Sequence, residues 1–323
     1  MDDKILISVE NLSKNFAVRN RIGRKTVLHA VDGVSFQIAR GETLGLVGES
    51  GCGKTTLGRT ILRLLEPDGG RILYDGTDIT RVNMRPYRSK MQIIFQDPAG
   101  SLDPRSQICD IVAEGLCVTG AGLSRGDRAS KVTELLEKVG LDGGIARRYP
   151  HEFSGGQQQR IGIARALAVN PEFIVCDEPV SALDVSYQSQ IITLLEQMQE
   201  NMNLTYMFIS HDLSVVRHIS DRIGVMYLGR IVELGGGVEI GVHAAHPYTR
   251  SLLTAVPVPD PQVSRAREQE PIADIQTDGG IPSQGCRFHA SCPHAMPVCA
   301  VEEPQLREIA PNHLCACHLH AAP

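Results

Sequence analysis

Residues 48 to 55, Gly48-Glu49-Ser50-Gly51-Cys52-Gly53-Lys54-Thr55, fill the spacing G-x-x-x-x-G-K-[ST] completely. Glycines so placed let successive backbone N–H groups turn onto phosphate oxygens. The lysine adds a point charge for the β- and γ-phosphates, and the threonine hydroxyl is a ligand for Mg2+. Thr56 continues the run, while Cys52 fills a variable position without a catalytic task. A second small-residue segment, Phe153-Ser154-Gly155-Gly156-Gln157, stands before a helical pattern from about 157 to 168. With Ser154 as its N-cap, that helix start offers a second anion site, which would be redundant around one nucleotide in one copy of the chain. Asp177-Glu178 follows an apolar run: one carboxylate suits a Mg2+ shell and its neighbour suits an attacking water. Alone such a pair more often serves a helix N-terminus; downstream of a phosphate loop it points to hydrolysis.

These residues need elements to hold them. From Ile5 to about Leu234, short β-branched runs alternate with helical patterns, the mark of an α/β fold with a largely parallel sheet. Residues 43–47 read as a strand feeding the phosphate loop, and 56–65 as the helix leaving it. Residues 173–176 and 204–209 read as buried strands that deliver Asp177-Glu178 and Ser210-His211 at their C-terminal ends, where open α/β sheets bind ligands. Val132, Leu135, Leu136 and Val139 recur at helical spacing before Gly140, a helix stop, and residues 109–149 read as a mostly helical insertion. Tyr187, Ile191, Leu194, Leu195 and Met198 mark another helix. Past Leu234 the pattern weakens: Gly235-Gly236-Gly237 reads as a loop, and 256–285 as a linker rich in Pro, Asp and Gln.

At 323 residues the chain is long for one core and reads as a large domain with a smaller appendage. Lys and Arg total 32 against 37 Asp and Glu, a net charge of −5, without a dense basic run, so nucleic acid is a poor partner. No stretch approaches the roughly 18 apolar residues of a membrane span, and Met1-Asp2-Asp3-Lys4 opens without a signal-peptide pattern, so a cytosolic location is expected. Five of the nine cysteines, Cys286, Cys292, Cys299, Cys315 and Cys317, crowd into the tail. In a cytosolic chain of this size they read as a metal candidate before a disulfide scaffold.

In this order the motifs resemble those of the ATP-binding subunits of ABC transporters. Gly48–Thr55 matches the Walker A loop, Gln96 the Q-loop glutamine and Phe153–Gln157 the LSGGQ signature, with Phe153 where leucine is usual. Phe173–Asp177 matches the Walker B strand, Glu178 the catalytic glutamate, Ser181-Ala182-Leu183-Asp184 the D-loop and His211 the switch histidine. Phe16 falls where the family sets an aromatic ring against adenine. The resemblance implies a P-loop NTPase of ABC type, with a mixed sheet core over residues 1–245 and a helical subdomain over about 105–165. It implies ATP with Mg2+ held by residues 48–56 and Asp177, Thr55, Gln96 and Asp177 serving the metal. Ser154, Gly155, Gly156, Gln157 and Asp184 would cover a second chain's nucleotide, Glu178 would polarise water, and His211 would lie near the γ-phosphate.

His246-Pro247-Tyr248-Thr249-Arg250-Ser251-Leu252-Leu253 closely resembles the HPYT-x-x-LL segment of dipeptide, oligopeptide and nickel importers, and the tail is similar to the Cys-rich region of that group. Residues 18–34 resemble the second ATPase of such systems. These likenesses imply a region 246–285 of HPYT segment and linker, a Cys-rich region 286–323, and peptide as the imported solute, with nickel or another small solute as the alternative and a soluble ABC ATPase acting on nucleic acid or ribosomes as the more distant one. They also imply a sister ATPase in a heterodimer, two permease subunits, a solute-binding protein and a place on the cytoplasmic face of the membrane. Four thiols suit tetrahedral zinc or an iron–sulfur cluster, or stay free and reduced; the subfamily pattern favours [4Fe–4S] on Cys286, Cys292, Cys299 and Cys317, with Cys315 to spare.

Overall fold

In this computed structural model, residues 4–19, 25–118, 124–255 and 284–320 are described. The first half runs β1 (Ile5–Arg19), β2 (Lys25–Ala39), β3 (Thr43–Val47), α1 (Lys54–Ile61), β4 (Gly69–Tyr74), β5 (Thr77–Asp78), β6 (Met91–Ile94), α2 (Pro98–Ser101), α3 (Ile108–Val118) and α4 (Arg125–Lys138). There follow α5 (Gly155–Leu167), β7 (Phe173–Asp177), α6 (Val185–Met202), β8 (Thr205–Ile209), α7 (Leu213–Ile219), β9 (Arg222–Tyr227), β10 (Arg230–Gly236), α8 (Gly237–Val242), α9 (Pro247–Thr254), β11 (Arg307–Ala310) and β12 (His313–Cys315). The chain divides into two compact units, one of residues 1–8, 37–43 and 73–209, the other of 9–36, 44–72 and 210–323.

In the first unit β6, β7 and β8 pair in parallel, in the order β8-β7-β6. Phe173 to Asp177 and Thr205 to Ile209 are buried along their whole length, as strands covered on both faces must be. The expected strand at 173–176 thus extends through Asp177, which carries the carboxylate to the strand end. The helical insertion is present: α3, α4 and α5 pack on one another, Leu135 and Leu136 are fully buried, and Gly140 ends the α4 segment with φ +74. The signature helix starts at Gly155, two residues before the expected 157, because the capping residue is Ser154.

In the second unit β3 runs parallel to β9, and β9, β10, β12 and β11 continue as antiparallel neighbours. The sheet is therefore mixed. Helix α1 begins at Lys54 and ends at Ile61, earlier than the expected 56–65, because Arg63 turns left-handed at φ +53 just beyond the C-cap. Gly235-Gly236-Gly237 is not a loop: β10 runs through Gly236 and α8 starts at Gly237. The expected linker at 256–285 lies, up to residue 283, outside the described residues. The described tail is not an appendage either, since β11 and β12 extend the sheet that carries the phosphate loop and residues 284–320 share that compact unit. No helix among the described residues is long and apolar enough to cross a membrane.

Candidate functional site

In the second unit the buried strand β3 delivers Gly48 to Lys54 as a loop closing on α1. Gly53 has φ +108, and a Cβ there would lie 2.0 Å from the Ala30 carbonyl; Gly48 has φ +154 and the Met226 carbonyl at 2.1 Å. Only glycine fits either position. Lys54 is 3% exposed and folds back, its Nζ donating to the carbonyls of Gly48 at 2.6 Å and Glu49 at 2.8 Å. Neutral carbonyls offset only part of the cost of burying an ammonium, so this lysine favours an arriving anion. Burial raises the Glu49 carboxyl, with Lys54 pulling it down, and raises the Cys52 thiol, leaving it inert. Thr55 and Thr56 are half-buried on the first turn of α1. Phe16 is half-buried with the Lys14 ammonium 5.7 Å from its ring centre. His211 is exposed directly after Ser210, whose N–H donates to Leu46 of β3 at 3.1 Å.

In the first unit the buried Asp177 closes β7 and Glu178 follows. Glu178 has φ +47, a left-handed conformation uncommon for a residue with a side chain, and its N–H donates to Ile209 at 3.0 Å. The turn aims its carboxylate at Gln96, whose amide Nε2 donates to Oε2 at 2.9 Å. The two residues paired in the expectation as water-polarising base and metal sensor therefore touch. Ser154 and Gln157 form a capping box on α5: the Gln157 N–H donates to Ser154 Oγ at 3.4 Å, and the Ser154 N–H to Gln157 Oε1 at 3.1 Å. Ser154, Gly155 and Gln157 are exposed, and a Cβ on Gly156 would lie 2.9 Å from the Tyr187 ring. The signature is thus a solvent-facing helix start. Asp184 is exposed at the start of α6. Asp177 and Gln96 in the first unit supply a carboxylate and an amide oxygen, and Thr55 in the second a hydroxyl, each a hard oxygen donor of the kind Mg2+ takes.

The tail thiols behave differently. Burial pushes Cys286 up to about 11, with Cys299, Cys317 and Cys292 adding to the rise, and burial likewise raises Cys292 and Cys317. All nine cysteines are free, and among the described residues no group of three or more His, Cys, Asp or Glu is disposed to hold a metal ion. The expected metal centre is not met as a ready-made ion site. His313 is half of a buried pair, its Nε2 lying 2.7 Å from Glu233 Oε1, which also accepts the Ala245 N–H at 2.7 Å.

Residues 31–181 match the family model described as ABC transporter, and residues 232–299 the model described as Oligopeptide/dipeptide transporter, C-terminal region. The oligopeptide transport ATP-binding protein AppF of Bacillus subtilis (strain 168) is 49% identical over 326 residues, covering 99% of both chains. The chain belongs to the ATP-binding subunits of oligopeptide ABC transporters. The oligopeptide transport ATP-binding protein OppF of the same bacterium is 51% identical over 269 residues, 82% of this chain and 87% of the relative. Among solved structures, the ATP-binding cassette MJ0796, described as a dimer in a post-hydrolysis state bound to ADP and Pi, superposes with TM-score 0.65. It is 28% identical and covers 72% of this chain and 98% of its own. For a subunit of this family, the missing sequence signal was Tyr248. It stands out in the HPYT segment, yet its hydroxyl accepts the Glu49 N–H at 3.0 Å across 199 residues of sequence, a pairing without local periodicity.

Proposed function

We propose that this subunit hydrolyses ATP to drive peptide uptake through a membrane transporter. The observation that carries the ATPase reading is Lys54, a buried cation folded onto a glycine loop whose backbone tolerates no side chain at Gly48 or Gly53. Phosphates replace the two carbonyls as its partners, while the loop N–H groups and the α1 N-terminus take the remaining oxygens. Mg2+, when bound, neutralises charge on the transferred phosphoryl group. Thr55, Asp177 and the Gln96 amide oxygen would hold it. The Gln96 amide holds the Glu178 carboxylate, the group that would take a proton from the attacking water. Residues 154–157 and Asp184 cover the nucleotide of a sister ATPase, whose own signature covers this chain's. His211 serves near the γ-phosphate and Phe16 against adenine.

The organisation we infer is an ABC nucleotide-binding region 1–245 with its helical subdomain near 105–165, an HPYT segment and linker 246–285, and a Cys-rich region 286–323. Two permeases, a solute-binding protein and a heterodimeric sister ATPase complete the transporter on the cytoplasmic face of the membrane. Peptide follows from the names of the relatives; nickel would be distinguished by transport assays with each solute. Glu178→Gln keeps shape and removes the base. Turnover measured on the assembled transporter is expected to fall by about two to three orders of magnitude. Wild-type turnover in that variant would remove the role of Glu178.

For the tail we propose a [4Fe–4S] cluster on Cys286, Cys292, Cys299 and Cys317. Its support is the resemblance of the tail to the Cys-rich region of the importers, together with one backbone contact that joins two of the four positions, the Cys286 N–H donating to the Cys299 carbonyl at 2.7 Å. Tetrahedral zinc on the same four thiols is the alternative. Anaerobically purified protein is expected to be brown and to contain iron and sulfide; colourless, iron-free protein would dismiss the cluster.

A further inference from the structure

Two separate threads run from the tail to the back of the phosphate loop, both within the second unit. The first begins at Phe288, 1% exposed and set between Cys286 and Cys292 in sequence. Its ring lies 5.5 Å from that of Tyr248 and 5.3 Å from that of Tyr227, and those two tyrosines are 4.5 Å apart. Tyr248 is wholly buried in this trio, and its hydroxyl accepts the Glu49 N–H at 3.0 Å. Burial drives the phenol far above its ordinary value, with the Glu49 bond opposing, so the hydroxyl stays neutral. The second thread begins at Arg287, whose guanidinium donates to the Leu228 carbonyl and to Asp32. Leu228 precedes Gly229, whose N–H donates to the Cys52 carbonyl at 2.8 Å. One three-residue stretch of the tail, Cys286-Arg287-Phe288, thereby supports the loop at both Glu49 and Cys52.

We propose that this stretch is a clamp on the phosphate loop, with Tyr248 as a positioning residue for ATP, so that nucleotide binding and tail packing are thermodynamically linked. The physical reason is that phosphate binding needs the loop N–H groups preorganised. A loop held at Glu49 and Cys52 has lost that freedom before ATP arrives. Linkage is reciprocal: whatever tightens the tail on Tyr248 tightens ATP, and ATP tightens the tail by the same factor. The clamp rests on the ATPase reading but asks a different question of it.

The test is Tyr248→Phe in the full chain within its assembled transporter. The variant keeps the ring and its packing and deletes only the acceptor of the Glu49 N–H. The KM for ATP is expected to rise about five- to tenfold with kcat changed less than about twofold, the split that marks lost uniform binding. Phe288→Leu should move KM in the same direction by a smaller factor. In wild-type protein ATP should slow amide hydrogen exchange over residues 284–300, and Tyr248→Phe should abolish that slowing. A wild-type KM together with retained ATP-dependent protection in Tyr248→Phe would overturn the clamp. Glu178→Gln in the same transporter separates the two ideas. If it abolishes turnover while Tyr248→Phe behaves as wild type, the clamp alone fails; if its turnover is unchanged, the ATPase assignment fails.

Discussion

Gly53 and Gly51 lie two residues apart with positive φ, yet the structure asks different things of them. At Gly53 a methyl group would meet the Ala30 carbonyl at 2.0 Å, whereas at Gly51 nothing lies within 4 Å of the same position. Gly53→Ala must therefore move backbone, and is expected to cost about 3 kcal/mol or more and to abolish ATP binding. Gly51→Ala bears only its left-handed conformation, about 1 kcal/mol. Thermal unfolding of the two variants checks the order, and equal losses would contradict the steric account. The motif was legible in the sequence because it depends on residue types at fixed local spacing. The contact between Gln96 and Glu178 was not, since 82 residues separate them and only the pairing of β6 with β7 brings their ends together.

At the scale of elements, the strand, loop and helix of the nucleotide site and the buried strands β7 and β8 could be read because apolar runs end at polar residues. The strands β11 and β12 could not. Arg307 and Glu308 are exposed, and His313-Leu314-Cys315 is too short to show a period; β12 is a strand because β10 offers it backbone partners, and β11 because β12 does. The junction between β10 and α9 has its own consequence. His246 caps α9, its Nδ1 accepting the Tyr248 N–H at 3.0 Å, and its N–H donates to Glu233 at 3.0 Å. Burial, joined by His320 and Arg250, lowers it to about 3. In the unfolded chain it protonates near its ordinary 6.5, so between those values the unfolded state binds more protons. Stability is then complete above about pH 6.5 and falls as the pH drops, by up to ~1.4 kcal/mol per pH unit from this group. His246→Asn retains an acceptor for the cap without a titrating ring. Its denaturant midpoint is expected to fall less steeply from pH 6.5 to 4.5 than that of wild type, and parallel slopes would contradict the assignment.

For the molecule as a whole, the two glycine-bearing segments divide between the two compact units, the phosphate loop in one and the signature in the other. At the start of the signature helix Ser154, Gly155 and Gln157 are exposed. In the proposed function this helix start meets the nucleotide of a sister ATPase, so that ATP joins the two subunits and hydrolysis releases them. The most direct measurement is nucleotide affinity and turnover in Ser154→Arg, set beside Lys54→Ala. With the full chain and a fluorescent ATP analogue, Ser154→Arg is expected to bind within about twofold of wild type while Lys54→Ala loses binding; in the assembled transporter both should lower turnover at least about tenfold. If Ser154→Arg weakens this chain's own nucleotide binding as severely as Lys54→Ala does, the two segments grip one nucleotide and the shared-site account is contradicted.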